Sequence, residues 1–280
     1  MVRNMPNGYA HVYFGRLVKD RLESELQILL QKEIQLFEIG VHGPDIMFYY
    51  KALQKDPYNM VAHRMHDEPA GPFFEKSLRL IQNLEGQERD KALAYMLGFV
   101  CHFALDSSLH PYIEKQIIET GISHSEIETE FDKYLLKMQG INPYSFDYTS
   151  HVFASYENTL VISPFWDMPT EIVQKSLRSM KSFLALFDPN RKVIRAISFA
   201  VLKIIGKYEG MQGLFIRIED QPLCIPVNQV MNEKLEGAIS LAIELVDEFV
   251  EKYRENDTSQ FSKRYYRDYC TEKEFEREIV

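Results

Sequence analysis

The chain has 280 residues, with 32 Lys+Arg against 41 Asp+Glu for a net charge of -9, 45% hydrophobic and 12% aromatic residues, and 3 Cys. This is the composition of a globular protein that can bury one large core or two small ones, and it excludes a disordered chain, a collagen-like repeat and a disulfide scaffold. The acidic balance gives no counterion-release drive toward phosphate backbones, so no extended nucleic-acid surface is expected.

Met1 to Gly15 reads MVRNMPNGYAHVYFG and places Pro, Asn, Gly and His where a secretory leader needs an unbroken apolar run, so a cytoplasmic location is expected. Arg195 and Lys203 interrupt the apolar stretch Val193 to Ile205, and no transmembrane segment is expected. Cys101, Cys224 and Cys270, odd in number and far apart, fit a reducing compartment and structural roles rather than a metal-binding Cys-x-x-Cys pair.

Periodicity is helical almost throughout. Leu22, Leu26 and Leu29 form one stripe, Leu177, Met180, Phe183, Leu184 and Phe187 a second, and Met231, Leu235, Ala238, Ala242, Leu245 and Phe249 a third. Steps of three and four place each set on one helix face, and these residues are expected in the core. Gly and Pro mark the breaks, at Gly40 to Pro44, Pro69 to Pro72, Gly140 to Pro143, Pro164 to Pro169 and Asp188-Pro189. Asn142 to Met168 reads as a loop rich in aromatic residues. Alternation within Gly210 to Val227 suggests at most a minor hairpin, near residues 210-227, which its two prolines keep out of a sheet centre. The expected class is all-α: a single helical domain over residues 1-255, followed by a charged, solvated helical tail at 256-280 without a chemical role.

The histidines are unevenly distributed: seven of the 8 lie between His11 and His124. In the run MLGFVCHFALDSSLHPYIE, His102, Asp106 and His110 follow at steps of four, forming one row on a helix face amid Leu97, Phe99, Phe103, Leu105 and Leu109. Polar side chains in such an apolar helix must be satisfied, and metal coordination does this. Composition alone gives roughly 0.03 such triplets in the chain. Pro111 is expected to end or kink the helix near His110. His124 and Glu128 make a second pair at four-residue spacing, although Ser123 and Glu126 equally suit an N-terminal capping box that would make His124 an ordinary first-turn residue. Asp45, after Gly43-Pro44, is either an N-cap or a carboxylate held rigidly toward a site. AHRMHDEPAG contributes His63, His66 and Asp67, and GYAHVYFG contributes His11.

Together these residues resemble the zinc-dependent phospholipase C family, whose bacterial enzymes share an all-helical fold with the P1-type nucleases. The resemblance covers about residues 9 to 135: the early His11, the turn His42 to Ile46 with Asp45, His66 followed five residues later by Gly71, His102-x3-Asp106, His110, and His124-x3-Glu128. It implies that Asp45, His66, His102 and Asp106 bind one zinc, that His110, His124 and Glu128 bind a second, and that Asp106 and His11 take part in a third. Asp45 would also act as the catalytic base. In secreted members an N-terminal tryptophan completes the third site, whereas this chain begins MVRNMPNGYA and has Trp166 as its sole tryptophan, so two Zn ions are expected and the third is left open. His110 follows His102 by eight residues where the family spacing is ten. Closely spaced zinc ions held by His and carboxylates lower the pKa of water toward about 7 and stabilise charge on a phosphoryl group. The expected function is hydrolysis of phosphate esters, phospholipids among them. Two other readings stay open: an HD-domain metal phosphohydrolase built on His66-Asp67, and a non-catalytic helical metal-binding protein. His42 and His63 are expected to support ligands or bind substrate phosphate.

Overall fold

In the computed structural model, residues 8–270 are described, and among them there are helices and turns but no strand. The helices are α1 (Tyr9–Lys19), α2 (Ser24–Lys32), α3 (Ile34–Gly40), α4 (Asn59–Asp67), α5 (Gly71–Gln82) and α6 (Gly86–Thr120) in the first part of the chain. They continue as α7 (His124–Met138), α8 (Tyr156–Trp166), α9 (Thr170–Phe187), α10 (Lys192–Ile204), α11 (Tyr208–Met211) and α12 (Cys224–Glu255). Short 3-10 turns occupy Gly43–Tyr49, Gln212–Leu214 and Lys263–Tyr266.

The long helix α6 is the hub, packed against α3, α12, α1, α5 and α8. It is buried from Ala92 to Asp106 without interruption, because neighbours cover it on all sides. It is also long and apolar enough to cross a membrane, where the sequence reading expected no such segment, but 89% of its most apolar window lies inside the bundle. The closest approach of α3 to α6 is made by Gly40 and Gly98. A Cβ on Gly40 would overlap the Tyr95 carbonyl, and one on Gly98 the Phe37 carbonyl. The three predicted stripes face the core, with Leu22, Leu26, Leu177, Met180, Met231, Leu235 and Phe249 buried and Leu29 and Phe183 partly buried against it.

Four local expectations are corrected. No hairpin forms near 210-227: α11 and a 3-10 turn fill its start, and α12 begins at Cys224 with Pro226 in its first turn, where a missing N–H costs nothing. The backbone between them is satisfied by side chains instead of a partner strand. The buried Lys133 ammonium donates to the Arg217 and Glu219 carbonyls at 3.2 and 3.1 Å, and the Tyr144 hydroxyl to that of Ile218 at 2.7 Å. Within Asn142 to Met168, the second half is α8, capped by the Ser155 hydroxyl and carrying Pro164 inside it. Pro111 does not end α6, which runs on to Thr120. The stretch after residue 256 is not solvated through Cys270, since Phe261, Tyr265, Tyr269 and Cys270 are buried against the bundle; the rest of the predicted tail, 271–280, lies outside the described residues.

Beside the site-bearing segments, His42 and His151 lie ring to ring with centroids 4.8 Å apart, both buried. Burial pushes His151 down to about 3, helped by the positive charge of Arg16, and burial together with His151 holds His42 well below the ordinary imidazole range. Both rings are neutral in the folded protein, while an unfolded histidine takes up a proton below about pH 6.5. Their contribution to stability is therefore full above that pH and is lost as the pH falls toward the folded values. His151→Phe is expected to remove about 2 kcal/mol of the stability loss between pH 7 and pH 5, measured by urea unfolding at each pH. An unchanged slope would show that His151 is already charged in the fold.

Candidate metal centre

Five elements, four helices and the 3-10 turn that carries Asp45, deliver side chains to one region. On α6, steps of four place His102, Asp106 and His110 in a row, with Asp106 Oδ2 3.1 Å from His102 Nε2 and Oδ1 3.7 Å from His110 Nε2. The α4 helix supplies His66, whose Nε2 lies 3.2 Å from Asp45 Oδ1 and 3.6 Å from Asp106 Oδ2. From α1, His11 Nε2 reaches within 3.4 Å of Asp106 Oδ1 and stacks on His102 at 4.5 Å between centroids. The α7 helix adds His124 and Glu128, with Nε2 to Oε1 3.0 Å, and Glu128 Oε1 is also 3.7 Å from His110 Nε2. Ser123 does cap α7 by accepting from the Glu126 N–H at 3.4 Å, so the capping reading and the inward-facing His124 hold together.

All eight predicted ligands thus fall into three groups whose ligand atoms lie within 4.8 Å of one another: His11, His102 and Asp106; Asp45, His66 and His102; His110, His124 and Glu128. Asp45 sits on the 3-10 turn Gly43–Tyr49 and is 4% exposed. Gly43 holds a positive φ of 49° there, and the His102 ring occupies the space its Cβ would need. His63 and Asp67 are in none of these groups and instead line the wall of an adjoining cleft, with His63 edge-on to Phe48 at 4.8 Å. His42 is likewise outside them, paired with His151.

Backbone carbonyls fix the imidazole tautomers. His66 Nδ1 is 2.7 Å from the Ala62 carbonyl, His102 Nδ1 3.2 Å from that of Val41, and His110 Nδ1 3.0 Å from that of Tyr269. A carbonyl can only accept, so each Nδ1 carries the proton and each Nε2 turns toward a carboxylate. This is how proteins orient metal-binding histidines. His102 Nε2 and Asp106 Oδ2 are buried close together without a hydrogen-bond partner, as are Glu128 Oε2 and His11 Nδ1. Lone pairs facing a carboxylate at this range need a cation or a proton between them. A cavity of about 20 Å³ bounded by His11, Asp106, His110 and Glu128 has room for one small species. The donor set, five imidazoles with three carboxylates, suits zinc.

The charge balance agrees. Burial opposes charging of His66, but the neighbouring carboxylates of Asp106 and Asp45 outweigh it and hold the ring up to about 10. His124 is likewise raised to about 9, against burial, by Glu128 and Glu114. Burial would raise Glu128, yet His124 and His110 bring it down to about 2. Protons thus serve as the countercharge that a bound cation would displace.

Two contributors were missed in the sequence. Asp132 extends His124 and Glu128 by another step of four, and its oxygens accept from the Ala10 and Tyr9 N–H groups at 2.8 and 3.1 Å. It thereby anchors the start of α1 and with it His11; burial pushes its carboxyl up to about 7 despite those two bonds. Tyr269, in the segment read as tail, gives His110 its carbonyl, donates its own N–H to the His66 carbonyl at 3.3 Å and lays its ring 5.1 Å from that of His66. Its hydroxyl is buried without a hydrogen-bond partner. Steps of four from Phe261 through Tyr265 to Tyr269 were the available signal for burial.

A cleft of about 880 Å³ opens beside the α7 side of the centre. It is lined by His124, His63, Lys55 and Lys207, by the carboxylates of Asp67, Glu114 and Glu209, and by apolar residues including Leu53, Met60 and Met211. Comparison with curated proteins and with solved structures finds no match. The model of the family described as zinc dependent phospholipase C matches residues 10–181, a span that includes all three groups of converging side chains. That match covers more than half of the sequence, and the chain belongs to the zinc-dependent phospholipase C family.

Proposed function

We propose that the protein is a zinc-dependent hydrolase of phosphate esters, phospholipids in particular, with Asp45 as general base. The observation that carries this reading is the convergence of eight His and carboxylate side chains, several with unpartnered buried atoms, next to a cleft that joins apolar surface to charged side chains of both signs, Lys55 and Lys207 among them. In this reading Asp45, His66, His102 and Asp106 hold one zinc, His110, His124 and Glu128 a second, and His11 with Asp106 a third, weaker one. Zinc bound there supplies Lewis-acid charge to a phosphoryl oxygen and makes water acidic enough to ionise near neutral pH.

The chain's own residues do the rest. The carbonyls of Val41, Ala62 and Tyr269 hold three imidazoles in one tautomer. Asp45 is kept in place by its turn and by His66, and as a carboxylate of fixed position it accepts the proton of the attacking water. Lys55 and Lys207 in the cleft offer positive charge to a phosphate, while Leu53, Met60 and Met211 offer apolar surface to an acyl chain. The HD-type reading is disfavoured because His66 turns to the centre while Asp67, its neighbour in sequence, faces the cleft.

The test compares a chromogenic phosphodiester, a short-chain phosphatidylcholine and single-stranded nucleic acid, using zinc-replete and chelated protein. Asp45→Asn is expected to lower turnover by roughly 10²-fold or more while keeping much of the zinc, because it removes the base but leaves an oxygen of similar position. Absence of chelator-sensitive cleavage of any phosphate ester, in protein shown to carry metal, would leave the non-catalytic metal-binding reading in its place.

A further inference from the structure

Of the 13 residues of α10, Leu202 alone is buried. The side that faces the protein is held by Arg195, which donates to the Ile216 carbonyl and lies over the Phe215 ring at 5.4 Å, and by Phe199, 4.5 Å from the Tyr208 ring. The opposite side presents Val193, Ile197, Val201 and Ile204, which are 73, 58, 46 and 83% exposed. Steps of four, four and three align these side chains in one stripe along the helix. Scattered exposed apolar residues need no explanation, but a continuous stripe of this kind marks a binding surface.

We propose that α10 is the membrane-docking element of this protein, lying flat in the interface of an anionic bilayer. Its charge selects that occupant. Residues 191–207 contain Arg191, Lys192, Arg195, Lys203 and Lys207 and no carboxylate, in a chain whose net charge is -9. Lys192 and Lys203 fall on one flank between the inner and outer sides; Lys203 Nζ rests 4.7 Å over the Phe199 ring, and from this exposed flank both long side chains can turn to headgroup phosphates while the stripe sinks into the acyl region. A second copy of the chain seated on this face would bring like charges together across a two-fold axis, which opposes a dimer. At 13 residues the helix is roughly 20 Å long, too short to cross a hydrocarbon core of about 30 Å.

The position gives the docking a use. Beyond α10 the chain turns through Gly206, Lys207, Gly210 and Met211, all of which line the cleft beside the candidate metal centre. A helix resting at headgroup depth therefore holds the cleft mouth at the level of the lipid phosphates. That use rests on the phospholipase reading above, whereas the docking itself does not.

The experiment is sedimentation of the full chain with phosphatidylcholine vesicles, with and without phosphatidylglycerol, at low and high salt. The wild type is expected to bind the anionic vesicles roughly tenfold more tightly than the neutral ones, and less tightly in high salt. Ile197→Ser/Ile204→Ser should weaken binding to both kinds of vesicle by roughly tenfold or more, and Lys192→Gln/Lys203→Gln should abolish most of the anionic preference. In the same preparations the rate on a water-soluble phosphodiester should stay unchanged, since none of these side chains lines the cleft. Absence of vesicle binding, equal binding by the wild type and both variants, or a concentration-dependent dimer in light scattering that Ile197→Ser/Ile204→Ser dissolves would overturn the proposal. Vesicle binding with the expected pattern, in protein that cleaves no phosphate ester, would uphold the docking and overturn the phospholipase reading instead.

Discussion

Asp106→Asn should strip most of the bound zinc and lower phosphodiester turnover by about 10³-fold, equivalent to about 4 kcal/mol of barrier. The reason is position. The Nε2 atoms of His11, His66, His102 and His110 all lie between 3.1 and 3.7 Å from its two oxygens, so this carboxylate is shared by side chains from three helices. An amide keeps the shape but replaces one oxygen by a donor that a cation repels, and it removes the negative charge around which the imidazoles are gathered. Other substitutions should act more locally. His110→Ala with His124→Ala is expected to remove one equivalent of metal, because these two belong to the group completed by Glu128. His151→Ala should remove none, since His151 pairs with His42 away from the three groups. Elemental analysis of each variant purified without added metal reads the outcome. Wild-type metal content in Asp106→Asn would show that the ions sit elsewhere.

The parts of this architecture that were legible in the sequence share one property: they are written within a single helix. His102, Asp106 and His110 could be aligned because four-residue steps put side chains on one face, and the same holds for His124 with Glu128. That Asp45 should meet His66, or His11 should meet Asp106, is a consequence of how α1, α4 and the Gly43 turn pack on α6; no local pattern carries it, and the family resemblance supplied it. Asp132 was overlooked although it continues the α7 row, because a carboxylate in a polar stretch reads as solvated until the backbone N–H groups of Tyr9 and Ala10 are found above it. Tyr269 was overlooked because net composition masked the aromatic spacing of a charged segment. The apolar stripe of α10 was visible as an apolar run broken by cations, but sequence alone does not say which face of an amphipathic helix the protein covers. The break between Pro164 and Pro169 is present, but it falls after Trp166: α8 holds Pro164 in its last turn, with Asp167 in the left-handed conformation just beyond.

Gly43→Ala and Gly237→Ala should change stability in opposite directions, although each adds the same methyl group. At Gly43 the backbone has a φ of 49°, which an L side chain adopts at a cost of about 1 to 2 kcal/mol, and the methyl would also overlap the His102 ring. That ring cannot swing aside freely, because its Nδ1 is tied to the Val41 carbonyl and its other edge faces Asp106. Overpacking of this kind adds about 1 to 3 kcal/mol, so Gly43→Ala should lose about 3 kcal/mol in total, and any shift of His102 should reduce zinc retention. At Gly237, exposed in the middle of α12, an added Cβ meets nothing within 4 Å and φ is not positive. There alanine raises helix propensity and restricts the unfolded chain, for an expected gain of about 0.5 to 1 kcal/mol. Urea unfolding of both variants, with metal content measured beside it, decides the matter. A neutral Gly43→Ala that keeps its zinc would mean that the Asp45 turn can relax away from His102, and the rigidity assigned here to the general base would have to be abandoned.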